Sequence, residues 1–136
     1  DIYNTEYTLE QGEANGVPEE NINKEREVGT KQRQSFTLAV EMGAKVVFAT
    51  DAGVYPHGDN GKQFARAVRF GMTPAQALMS ATSLTAELLG WEDKVGAIKP
   101  GLYADIIAVR GNPLDDIAEM EDVDFVMKGG VVYKNQ

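Results

Sequence analysis

The chain has 136 residues, 13 Lys plus Arg against 21 Asp plus Glu, a formal net charge of −8, one His and no Cys. That length suffices for one domain with a buried core, and 43% hydrophobic with 25% charged residues excludes a disordered or collagen-like chain. The acidic balance argues against nucleic acid or an anionic membrane as partner, the missing Cys removes disulfide frameworks, thiolate zinc sites and cysteine nucleophiles, and no apolar run reaches the ~18 to 20 residues of a membrane helix.

The first 35 residues are polar and punctuated by Gly12, Asn15, Gly16 and Pro18, which predicts a long loop leading into a helix; Pro18 followed by Glu19 and Glu20 suits a first helical turn. The basic residues between Lys24 and Lys31 are interleaved with Glu25 and Glu27 and form no cationic patch. Phe36, Ala39, Val40 and Gly43 follow at i, i+3, i+4 and i+7, so only the carboxyl-terminal half of this helix needs a core to pack on, and Gly43 reads as its stop. Lys45 to Thr50, KVVFAT, is a short, nearly continuous apolar run rich in β-branched residues, the pattern of a strand covered on both faces in a parallel sheet. A Gly-rich loop from Ala52 to Gly61 and a helix marked by Phe64, Ala67 and Val68 complete a βα unit. Thr73, Pro74 and Gln76 spell a capping box with Pro at the first helical position, and a further turn or two of helix ends at Gly90. From Trp91 the character changes. Val95 to Ile98, Tyr103 to Val109, Val123 to Met127 and Val131 to Tyr133 read as strands, with a hairpin signal at Gly129-Gly130.

Asp51 is the most informative position, because the carboxyl end of a parallel strand followed by a Gly-containing loop is where α/β folds place ligands and catalytic groups. An Asp there also caps turns, so spacing leaves both roles open. His57, six residues on, suits a metal, a proton or a substrate hydrogen bond as well as plain solvation. Tyr55 suits a pocket wall or a cover for the loop base, and Asp59 beside Asn60 and Gly61 is turn chemistry. No Gly-rich phosphate loop and no Gly-flanked nucleophilic Ser occurs, and one His cannot make a histidine-rich metal site.

FATDAGVYPHGDN (Phe48 to Asn60), GMTPAQALMSAT (Gly71 to Thr82), AELLG (Ala86 to Gly90), VGAIKPGLYADIIAVRGNPLDDI (Val95 to Ile117) and DFVMKGGVVYK (Asp124 to Lys134) resemble, in this order, the carboxyl-terminal third of the metal-dependent amidohydrolases. The branch they look most like holds the imidazolonepropionase-like enzymes and the zinc peptidases called Xaa-Pro dipeptidases or prolidases. The resemblance implies an α/β fold: the last βα units of a (β/α)₈ TIM barrel plus strands of a small β-sandwich, incomplete on its own. Residues 1–90 would carry the end of barrel strand seven, helix seven, strand eight and helix eight, and residues 91–136 the sandwich strands. It further implies that Asp51 is both catalytic residue and metal ligand, that His57 and Tyr55 bind substrate, and that a divalent metal, zinc by family habit, serves the full-length enzyme. The family's paired histidines and bridging residue have no counterpart here, which places them upstream of Asp1.

The chain is therefore expected to be a fragment of a hydrolase of C–N bonds in dipeptides or N-acyl amino acids, inactive alone and inclined to self-associate or to pair with the missing amino-terminal part. The alternative is a non-catalytic binding or assembly module derived from the same fold; an unrelated small α/β protein would need Asp51 and His57 to converge on one ligand. The chain is expected to be soluble, and its localisation is not legible, since any targeting segment is either absent or lost with an upstream region.

Overall fold

A helix, α1 (Tyr3–Gln11), occupies the segment whose sequence predicts a long loop, and the expected helix follows as α2 (Glu19–Glu41). The computed structural model describes all residues, 1–136. The correction has a physical cause. The inward face of α1 is Tyr3, Thr5 and Thr8, so it carries no apolar stripe; the Thr5 hydroxyl instead lies 2.9 Å from Glu25 Oε2 and 2.8 Å from Gln32 Oε1 on α2. Ile22 and Gly29 are the buried residues of α2, so its amino-terminal half packs on α1 while Phe36 and Val40 farther along reach the main core. Pro18 stands at the amino-terminal cap of α2 with Glu19 and Glu20 in the first turn, as expected.

The apolar run Lys45 to Thr50 is extended but forms no ladder, contrary to the expected strand; its one backbone–backbone hydrogen bond runs from the Phe48 amide to the Ser80 carbonyl at 3.0 Å. A strand needs at least one neighbouring strand to form a ladder, and this chain supplies none beside this run. A 3₁₀ turn (His57–Gly61) then leads into α3 (Lys62–Arg69), followed by α4 (Pro74–Ala81) and α5 (Ser83–Leu89). The capping box opens α4, the Gln76 amide donating to Thr73 Oγ1 at 3.2 Å and the Thr73 amide to Gln76 Oε1 at 2.8 Å. Gly90, left-handed at φ 65°, ends α5.

The carboxyl-terminal part is one antiparallel sheet of three strands in the order β1 (Ile106–Ala108), β2 (Phe125–Lys128), β3 (Val131–Asn135), with a second 3₁₀ turn (Ile117–Glu121) before β2. Gly129 and Gly130, at φ 55° and 81°, make the two-residue hairpin. Val95 to Ile98, expected as a strand, is irregular: Gly96 stands at φ 93° and the segment has no ladder partner. No helix is long and apolar enough to cross a membrane.

The core unites the two parts. Ile2, Phe64, Ala67, Met72 and Ala77 pack with Ile117 and Met120 of the second 3₁₀ turn. Gly61 makes this junction possible, because a Cβ there would lie 2.3 Å from the Met120 carbonyl oxygen. Backbone meets backbone, so neither side can swing away, and Gly61→Ala should destabilise the chain by about 1–3 kcal/mol through overpacking. Urea unfolding of the variant checks this, and a midpoint equal to wild type would refute the close seat.

Candidate active site around Asp51

Asp51 follows the extended run and is the one non-glycine residue with positive φ, at 48°. A left-handed backbone is unusual outside Gly, Asn and Asp, and such strain concentrates at functional positions. The carboxylate is exposed and enters none of the chain's ion pairs. It is therefore not committed to a partner side chain.

The two carbonyls before it are held by side chains. Gln63 donates from Nε2 to the Ala49 carbonyl and accepts at Oε1 from the Ile2 amide at 3.1 Å, while the Tyr55 hydroxyl donates to the Thr50 carbonyl at 3.0 Å. Gln63 and Tyr55 are only 4% and 2% exposed. Of the two roles open to Tyr55, the geometry matches the cover for the loop base: its ring lies edge-on to Tyr3 at 4.7 Å and tilted against Tyr7 at 5.9 Å. Gln63 escapes a reading of the sequence, since a Gln in the first turn of a helix ordinarily faces water.

His57 is exposed at the start of the 3₁₀ turn, its carbonyl accepting from Asn60 Nδ2. It lines a cleft of about 530 Å³ with Phe48, Met120, Val126 and Lys134, and Asp51 is not part of that lining. The structure thus does not bring Asp51 and His57 into one cleft. Asp59 is engaged by the Tyr3 hydroxyl at 3.2 Å and by Lys62 Nζ at 2.9 Å, an anchor between α1 and the loop.

Burial pushes the Tyr3 and Tyr55 phenols above their ordinary range, and the hydrogen bond that Lys62 donates to Asp59 raises its ammonium. Each folded pKa lies above its unfolded value of 10.0 for Tyr or 10.5 for Lys. The protonated forms are thus favoured by folding, and their contribution is complete below those values and lost as pH rises through the folded ones. Thermal melting followed from neutral into alkaline solution should show stability falling above about pH 10, with tyrosinate absorbance appearing late for these two of the five tyrosines. A melting temperature flat across that window would contradict the anchor.

The donor set for a metal is partial. No group of three or more His, Asp or Glu is placed to hold an ion, whereas a catalytic zinc usually takes three protein ligands and keeps an open position. Asp51 is exposed and enters none of the chain's ion pairs, so this chain offers one uncommitted carboxylate there and no complete ligand set.

Residues 2–133 match the Amidohydrolase family. The chain belongs to the amidohydrolase family. Its fold superposes on a Xaa-Pro dipeptidase with methionine bound in the active site, with a TM-score of 0.89 and 43% identity over 98% of this chain and 33% of that one. It is also similar to a prolidase complexed with N-methylphosphonate-L-proline, with a TM-score of 0.86 and 29% identity over 97% of this chain and 33% of the other. Ochratoxinase of Aspergillus niger is 30% identical over 124 residues, 88% of this chain and 25% of that protein. The chain thus spans about a quarter to a third of the length of these amidohydrolase relatives.

Proposed function

We propose that this chain is the carboxyl-terminal part of a metal-dependent amidohydrolase that cleaves C–N bonds of dipeptides or N-acyl amino acids. Residues 1–90 supply the end of barrel strand seven, helix seven, strand eight and helix eight, and residues 91–136 supply strands of the accompanying sandwich. The observation that carries this reading is Asp51: an exposed, left-handed carboxylate at the end of an apolar extended run, in a chain similar to Xaa-Pro dipeptidases and prolidases over nearly its whole length.

Asp51 would hold a divalent metal, zinc by family habit, together with ligands from outside this chain, and such a metal would supply an acidified water and polarise the scissile carbonyl. The Asp51 carboxylate takes the proton released during attack and delivers it to the departing amine, the work of a general base that becomes a general acid. His57, exposed on the same loop, would reach the substrate only from the neighbouring cleft that it lines; Tyr55 acts through the loop that it anchors.

The separate chain is expected to associate. Only 17 of the 136 residues are buried, and Leu88, Leu89, Trp91, Ile98 and Tyr133 stand exposed beside an unladdered apolar segment. Uncovered apolar surface and unpaired backbone of this kind seek partners.

The test assays dipeptide hydrolysis with added zinc by the 136-residue chain and by the full-length polypeptide that carries it, with sedimentation of both. Turnover by the long form alone, and association of the short one, are the expected results. Substantial turnover by the short chain as a compact monomer would overturn the proposal, and an inactive long form would support a binding module instead.

A further inference from the structure

The last two residues before Asp51 show how the left-handed turn at Asp51 is held. In a sheet their carbonyls would be met by neighbouring strands; here each is met by a buried side chain, Ala49 by Gln63 and Thr50 by Tyr55. Neither side chain is idle packing. A buried amide is costly unless satisfied, and that of Gln63 is satisfied at both ends, joining the Ile2 amide to the Ala49 carbonyl. Tyr55 is wedged by Tyr3 and Tyr7, which leaves its hydroxyl little freedom but to point at Thr50. The two hydrogen bonds fix consecutive peptide planes immediately ahead of the one left-handed non-glycine residue.

We propose that Gln63 and Tyr55 are positioning residues that clasp the peptide planes of residues 49 and 50 and thereby aim the Asp51 carboxylate. This rests on the role of Asp51 given above. Neither residue touches the reacting atoms. Their effect is geometric, and misplacing a catalytic group by a fraction of an ångström to about 1 Å is enough to slow a reaction substantially. The clasp also makes the loop after Asp51 answer to α1, because the Ile2 amide at the other end of Gln63 immediately precedes that helix.

The experiment is a pair of double-mutant cycles in the full-length enzyme, using Tyr55→Phe and Gln63→Met, each alone and combined with Asp51→Asn. Tyr55→Phe keeps the aromatic wedge and loses only the hydroxyl, so it serves where Gln63→Met fails to fold. With Asp51 intact, kcat should fall roughly 10-fold with KM changed by less than about 2-fold; combined with Asp51→Asn, the further fall should be under about 2-fold, because there is no longer a carboxylate to aim. Zinc affinity, measured by competition with a chelator, should drop about 10-fold in Tyr55→Phe, as for other residues that orient a ligand. Equal losses of kcat on both backgrounds, or an unchanged zinc affinity, would overturn the clasp while leaving the role of Asp51 standing. An active Asp51→Asn enzyme would overturn both.

Discussion

Asp51→Asn in the full-length enzyme is expected to lower kcat by roughly 10² to 10⁴, the range lost with a general acid–base group. The fold should hardly notice. Asp51 is exposed and unpaired, so no ion pair is lost, and its φ of 48° lies in the left-handed region that Asn occupies as readily as Asp. The substitution keeps shape and backbone preference and removes the proton acceptor, which makes it cleaner than Asp51→Ala, where a left-handed alanine adds about 1–2 kcal/mol of strain. Steady-state hydrolysis and thermal melting on the same preparations separate the two effects. Full activity in the Asp51→Asn enzyme would remove Asp51 from the mechanism.

The largest stability loss should come from Phe64→Ala. Phe64 is 8% exposed, sits in the cluster with Ile2, Ala67, Ile117 and Met120, and lies with its ring centroid 4.4 Å from that of Phe48. Truncation leaves a cavity between α3, the extended run and the second 3₁₀ turn, elements that cannot all collapse inward at once, so a cost of about 3–5 kcal/mol is expected. Phe48 stands three residues before Asp51, so the same variant should also slow catalysis in the full-length enzyme through a displaced carboxylate. Urea unfolding with an unchanged slope and a lowered midpoint measures the first effect; a loss below about 1 kcal/mol would show that the ring is not part of a shared core.

What can be read from the residues alone follows the range of each signal. The capping box at Thr73 and Gln76, the stop at Gly90 and the hairpin at Gly129-Gly130 are local chemistry, and all three stand where the sequence places them. Helix α1 is hidden because it packs through threonine hydroxyls and tyrosines, which a search for apolar periodicity passes over. The run Lys45 to Thr50 is apolar and extended as its residues predict, but ladders belong to pairs of strands and no single segment can announce its partners. Val95 to Ile98 departs from expectation for the same reason, aided by the left-handed Gly96. At the site, Asp51 stands out by its place after an apolar run; Gln63 does not, because its importance lies in two backbone groups, Ile2 and Ala49, that only the folded chain brings within its reach.

The seat of Gly61 on the Met120 carbonyl bears on how such enzymes can be recombined. The loop after Asp51 and the turn before β2 touch backbone to backbone, so they form a single heritable unit although about 60 residues separate them in the chain. A graft that imports a new Asp51 loop must bring glycine at position 61 and a turn of the same depth at Ile117–Glu121. Shuffling the two independently should cost stability, and crossover points in this chain should be drawn to keep both on the same side.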